Sequence, residues 1–297
     1  MTTNDSPSLK GFGHAFATVN GIRLHYVVGG PEGGDLMVLL PGWPRTWWQY
    51  RKVMPKLAER FRVVAVDIRG MGDSDKPDSG YDKKTMARDI YELVRSLGYS
   101  KAHICGEDIG GMVGYSYAVN HPEATDKLAL WETVHPNEAL YGIPMLPKPG
   151  QDGLQWWLAF NMVKDLPEQI IAGRFRPISD WIIDHYSGSP GSYTEEDRAV
   201  YGAAYDTPDA IRAGNAWYQA WHQDMVDDKA YPEMPITMPT LFLGGSSAPL
   251  TFAVIKQKVA AELRLVEIEG AGHFLAEERP KELLAALEDF FLQHPAQ

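Results

Sequence analysis

The sequence predicts an α/β fold: a mostly parallel core sheet of about eight strands carrying an inserted helical cap. Three observations carry this. Short, wholly apolar runs alternate with amphipathic helical stretches through residues 1–134. The alternation then stops, and residues 135–238 contain no run that reads as a buried strand. It resumes in residues 239–297, so the core is written in two parts around the cap.

The chain opens with Ala15–Asn20 and Gly21–Val28, two alternating runs that meet at Asn20-Gly21. Asn and Gly tolerate positive φ, so a tight hairpin is expected. Leu36–Leu40 is apolar throughout, as a strand buried on both faces requires. After a Pro/Trp-rich loop, a helix is expected over Gln49–Arg60 and a strand over Phe61–Val66. Asp82–Leu97 has helical periodicity, with Met86, Ile90, Leu93, Val94 and Leu97 on one face and Gly98 as the stop. Ala102–Cys105 and Lys127–Trp131 read as strands, joined by a helix that runs to His121-Pro122. The cap is rich in Trp and Tyr and broken at Gly142-Ile-Pro144, Pro147–Gly150 and Ser187–Gly191. Strands are then expected at Thr240–Leu243 and Leu263–Ile268, with helices over Thr251–Ala261 and Lys281–Gln293.

Composition excludes several classes. A length of 297 residues suits one large domain or one with an insertion. With 44% apolar and 23% charged residues, disordered and collagen-like chains are out. A net charge of −11 without long basic runs argues against nucleic acid or an anionic membrane as partner. Cys105, the single cysteine, has no intramolecular disulfide partner, and no Cys/His cluster has zinc spacing. No metal or cofactor is therefore expected. The N-terminal stretch has no signal-like apolar region, and no apolar run reaches membrane-span length. A soluble cytoplasmic protein follows, with a homodimer among its open assemblies. The unusual entry is tryptophan, nine in all.

The most informative residues are Gly106-Glu107-Asp108-Ile109-Gly110-Gly111, after a strand and opening a helix. Small residues at the first, fifth and sixth places allow a sharp turn that projects the third residue over the sheet edge. The less favoured reading of the segment alone is a Gly-rich turn with a helix-capping Asp. Other segments fall at matching strand ends: Leu40-Pro41-Gly42-Trp43-Pro44, Asp67-Ile-Arg-Gly-Met-Gly-Asp-Ser-Asp75 and Gly272-His273-Phe274. Together they make residues 13–293 resemble an α/β-hydrolase. The Asp elbow, the GWP loop and the D-x-R-G-x-G-x-S-D turn resemble its epoxide hydrolase and dehalogenase branch.

The resemblance implies a chemistry that the residue types support. A carboxylate with a pKa of about 4 is already ionised at neutral pH, so Asp108 can attack an sp³ carbon directly. It would open an epoxide or expel halide, leaving an alkyl ester. His273, in a Gly-rich loop after the last strand, would activate water to cleave that ester. The backbone N–H groups of Trp43 and Ile109 occupy the family's oxyanion-donor positions.

His273 needs an acid to orient it. The loop after the seventh strand, Gly244-Gly-Ser-Ser-Ala-Pro-Leu250, has no carboxylate. The family's other location follows the sixth strand, where Glu132 lies twenty-four residues after Asp108. Glu132 is taken as the acid.

In the cap, Asn215-Ala-Trp-Tyr218-Gln-Ala resembles a second-tyrosine motif, and Tyr218 would give its proton to the leaving oxygen. Where relatives carry a first Tyr or His, this chain reads Gln155-Trp156-Trp157-Leu158. Trp157 could donate to the ring oxygen, cradle a halide, or simply pack. Ile109 and Met112 stand where haloacetate dehalogenases place carboxylate-binding arginines, which disfavours a 2-haloacid unless Arg174, Arg176 or Arg212 takes over. Trp43, Trp131, Trp156, Trp157, Trp217 and Trp221 are expected to line an apolar pocket, with Trp156, Trp157 and Trp217 touching an apolar or aromatic substrate. The expected function is an epoxide hydrolase. A haloalkane-type or dual-function dehalogenase and a non-catalytic binding protein are the alternatives.

Overall fold

The computed structural model describes residues 6–143, 149, 155–231 and 235–292. Pro144, most of Pro147–Gly150 and Gln293 therefore lie outside the described residues. The core is an eight-stranded sheet in the order β1-β2-β4-β3-β5-β6-β7-β8. The strands are β1 (Phe12–Val19), β2 (Ile22–Gly29), β3 (Leu36–Leu40), β4 (Arg62–Asp67), β5 (Ala102–Glu107), β6 (Thr125–Trp131), β7 (Thr240–Gly244) and β8 (Leu263–Glu267). β2 pairs antiparallel with β1 and β4, and all other pairs are parallel. The hairpin turn uses positive φ at Asn20 (44°) and Gly21 (77°), as its sequence predicts. β3 lies between β4 and β5 and is buried along its whole length, which is why it is apolar at every position.

Helices α1 (Met54–Leu57), α2 (Lys83–Ser96), α3 (Asp108–Asn120), α10 (Ala248–Ile255), α11 (Leu275–Glu278) and α12 (Pro280–Leu292) belong to the core part of the chain. α2 begins on Asp82, whose side chain accepts from Thr85 N–H, and its buried face holds Met86, Ile90, Leu93 and Val94. Two helices differ from expectation. Gln49–Arg60 is a 3-10 turn over Trp47–Tyr50 followed by the single turn of α1, because Pro55 has no N–H to continue a longer helix. The helix expected over Thr251–Ala261 starts earlier, where Pro249 suits a first turn. It ends earlier as well: Lys258 and Ala260 bond the backbone of Ile236 instead of continuing the helix.

Between β6 and β7 the described residues are helical: α4 (Trp156–Met162), α5 (Pro167–Ile171), α6 (Arg176–Tyr186), α7 (Glu195–Ala204), α8 (Pro208–Gln219) and α9 (Trp221–Ala230). They form a cap over the C-terminal sheet edge. Buried charges fasten it down. Lys83 Nζ of α2 lies 2.9 Å from Asp224 Oδ2 of α9, with both side chains fully buried. On the other flank Arg45 and Arg51 pair with Glu277, and Arg51 also with Asp197 of α7. Removing one member of such a pair strands the other charge in a dry interior. No helix among the described residues is long and apolar enough to cross a membrane.

Candidate active site

Sheet register explains why two acids emerge together. Glu107 pairs with Trp131 across β5 and β6, so Asp108 and Glu132 are each one residue beyond the same rung. Both adopt positive φ, 52° and 50°, a conformation that L-residues take only where surrounding structure enforces it. At Asp108 the enforcement is close packing. A Cβ on Gly110 would sit 2.1 Å from the Leu40 carbonyl oxygen, and one on Gly106 would sit 2.5 Å from that of Gly110. Gly42 is equally tight, with 2.5 Å to Asp108 Cβ. The elbow therefore needs its glycines, and it sets Asp108 at the electropositive end of α3.

Each oxygen of Asp108 has its own neighbour. Oδ1 accepts the Trp43 N–H at 2.9 Å, and Oδ2 lies 3.5 Å from His273 Nε2. Ile109 is the second residue of α3, so its N–H belongs to the first turn, where helices leave N–H groups without an intrahelical acceptor. The other ring nitrogen of His273, Nδ1, lies 3.1 Å from Glu132 Oε2, while Glu132 Oε1 accepts the Gly245 N–H at 2.6 Å. Burial alone would lower the His273 pKa. Hydrogen bonds and charge from Asp108 and Glu132 outweigh it and hold the imidazole well above its usual value.

Several supporting residues carry no motif. Glu278 accepts the N–H groups of Gly188, Gly272 and Phe274, each at 2.8 Å, and so clamps the loop bearing His273. The His273 N–H itself donates to the Tyr186 carbonyl at 2.8 Å, a direct cap-to-core bond. Thr133 Oγ1 donates to the Asp108 carbonyl at 2.8 Å. Beneath the nucleophile, buried Glu107 accepts from Trp131 Nε1 at 2.5 Å and from Gln49 Nε2 at 3.2 Å. Gln49 in turn accepts the Gly42 N–H at 3.1 Å, steadying the loop that presents Trp43. Burial pushes the Glu107 carboxyl up to about 8.

A cavity of about 310 Å³ lies over Asp108, reached by His273, Glu132 and Tyr218 as well. The Tyr218 hydroxyl is buried and has no hydrogen-bond partner. Burial first, and the Asp108 charge second, raise its pKa well above 10, so it stays a neutral donor. Trp157 also lines the cavity, stacked on Trp43 with ring centroids 5.3 Å apart. Its N–H, however, is not open: it donates to the Tyr186 hydroxyl at 2.9 Å. Of the three readings open for Trp157, these contacts fit packing rather than a free donor to the leaving group.

Two further expectations are corrected. Trp156 packs against Phe160 and Trp181, and Trp217 is fully buried with its N–H on the Arg69 carbonyl at 2.8 Å. Neither lines the cavity, and nor does Trp131, whose N–H is on Glu107; only Trp43, Trp157 and Trp221 of the six do. Adjacent helical residues point about 100° apart, so within Trp156-Trp157 and Trp217-Tyr218 one member faces the cavity and the other does not. The candidate clamp arginines are elsewhere too. Arg176 pairs with Asp180 and Glu195, Arg212 bonds the carbonyls of Lys76 and Pro77, and Arg174 does not line the cavity.

Comparison with known proteins fits this geometry. The model of the alpha/beta hydrolase fold family matches residues 35–280. The soluble epoxide hydrolase of Corynebacterium sp. (strain C12) is 34% identical over 294 residues, covering 94% of this chain and 96% of that one. The chain belongs to the α/β-hydrolase fold family, in its epoxide hydrolase branch. Among solved structures, Cfl2 from Burkholderia cenocepacia superposes with a TM-score of 0.88 at 35% identity, covering 96% of this chain and 98% of that one. The epoxide hydrolase CorEH gives 0.82 at 31%, covering 95% and 99%.

Proposed function

We propose that this α/β-hydrolase is an epoxide hydrolase that makes a vicinal diol through an ester on Asp108. The observation that carries the reading is the division of labour on that one carboxylate. Oδ1 is held by the Trp43 N–H, while Oδ2 lies beside His273, which Glu132 braces from behind. Oδ2 attacks a ring carbon, the ring C–O bond breaks, and the alkoxide takes the Tyr218 proton. Esterification abolishes the Asp108 charge, and with it one of the two influences that keep His273 protonated. The imidazolium then returns a proton to the Tyr218 phenolate and becomes a base. It takes a proton from water, and hydroxide adds to the Asp108 carbonyl carbon. The oxyanion is received by the N–H groups of Trp43 and Ile109. Collapse releases the diol, with Asp108 again a carboxylate and His273 again protonated.

An epoxide suits the site better than a halide. The Trp157 N–H is taken up by Tyr186, whereas Tyr218 has a proton to give and no other acceptor. His273→Ala incubated with styrene oxide provides the test. Intact mass should rise by one epoxide, on the peptide containing Asp108, while the parent protein forms the diol. Absence of both adduct and diol across a panel of terminal and aryl epoxides would overturn the proposal.

A further inference from the structure

The cavity has two unlike walls. The cap contributes the aliphatic Leu140, Ile143, Leu158 and Ile182, beside Gln155, Tyr186, Tyr218 and Trp221. The loop after β7 and the start of α10 contribute Ser246, Ser247 and Thr251. This is the same loop that lacks an acid of its own and uses the Gly245 N–H to hold Glu132. Besides the Tyr218 hydroxyl, two polar groups on this lining are buried without any partner: Ser247 Oγ and Trp221 Nε1. Leaving a buried polar atom without a partner is unfavourable, so these two groups on one cavity mark where a ligand completes the bonding. Trp221 is only a donor, and serine both donates and accepts. What they share is a demand for an oxygen with lone pairs. Among the described lining residues the only ionisable acids are Asp108 and Glu132, and there is no Lys or Arg. The one lining cation, His273, is already paired with Asp108 and Glu132, so nothing there is left to neutralise a further ionised group, and the oxygen is uncharged.

We infer that the substrate is a neutral, mainly apolar epoxide carrying a second oxygen function, of the ketone, ether or alcohol class, received by Trp221 Nε1 and Ser247 Oγ. The inference rests on the epoxide reading of the same site and names its substrate class. The aliphatic side chains of the cap take the carbon skeleton, and Ser247 of the β7–α10 wall with Trp221 of the cap sets which end of it lies over Asp108.

The test is a matched set: 1,2-epoxyoctane and chain analogues of equal length with a ketone two, three or four carbons from the ring. One ketone spacing should exceed the plain epoxide in kcat/KM by about 10-fold, the value of one well-formed hydrogen bond. Ser247→Ala and Trp221→Phe should each bring that ratio down toward one, with melting temperatures confirming that the variants fold. Equal rates at every spacing, or a preference that survives both substitutions, would overturn the inference. If no epoxide is turned over, the same question is asked by calorimetry with octan-2-one and octane. Preferential ketone binding lost in the Ser247 variant would then retain the subsite and discard only the reaction, and equal binding would discard the subsite.

Discussion

The two halves of the site are built on opposite principles. The core half carries the charge, and almost every atom of it is held: Asp108 by Trp43, Glu132 by Gly245, and His273 by Glu132, with its loop clamped by Glu278. The cap half is neutral, and its polar groups are either bonded to one another, as Trp157 to Tyr186, or left unpaired, as Tyr218 and Trp221. Charge in a dry site must be satisfied before substrate arrives, because an unpaired ion is far costlier than an unpaired hydroxyl. The core is thus preorganised, while the cap keeps its hydrogen-bonding capacity for the ligand.

This contrast orders the expected effects. Glu132→Gln removes a charge from the held half and should slow ester hydrolysis by about 10³–10⁴-fold. Alkylation should be little changed, so rapid-quench measurements should find the Asp108 ester accumulating. Equal slowing of both steps would break the division between halves. Tyr218→Phe acts on the open half and should cost about 10²-fold, confined to alkylation, with no accumulated ester. Trp157→Phe keeps the stacking on Trp43 but removes the N–H that the Tyr186 hydroxyl accepts, and a loss of under about 10-fold is expected; a larger one would restore Trp157 as a direct donor.

The last effect concerns pH and stability rather than rate. Glu107 has a folded pKa of about 8 against about 4.3 unfolded. A raised carboxyl pKa means the folded state holds its proton more tightly. Its stabilising contribution is full below about pH 4.3 and is lost as pH rises through 8, at no more than about 1.4 kcal/mol per pH unit. Glu107→Gln should therefore flatten the fall in melting temperature between pH 5 and 8. An unchanged slope would place the ionisation elsewhere.

How legible each half was follows from the same physics. The elbow could be read because backbone contacts at Gly106 and Gly110 admit no side chain, so local sequence must record the geometry. Glu132 was reached from the family's acid position after the sixth strand, and the shared rung of β5 and β6 explains why its spacing from Asp108 fits. The cap left no such record. Whether Trp217 or Tyr218 meets the cavity depends on a helix's rotation about its axis, set by tertiary packing onto the Arg69 carbonyl and Tyr205. Tyr186 was missed for that reason, and its backbone bond to His273 spans eighty-seven residues. Glu278 and Gln49 were missed because a carboxylate or amide that bonds only backbone and buried neighbours looks like any other in sequence.

The central claim is that Asp108, not water, forms the first bond to substrate. Single turnover in ¹⁸O-water with enzyme in excess tests it most directly. The account predicts that label enters the Asp108 carboxylate while the first diol is unlabelled, its new oxygen having come from the protein. Label in the diol, with none in the peptide containing Asp108, would contradict it.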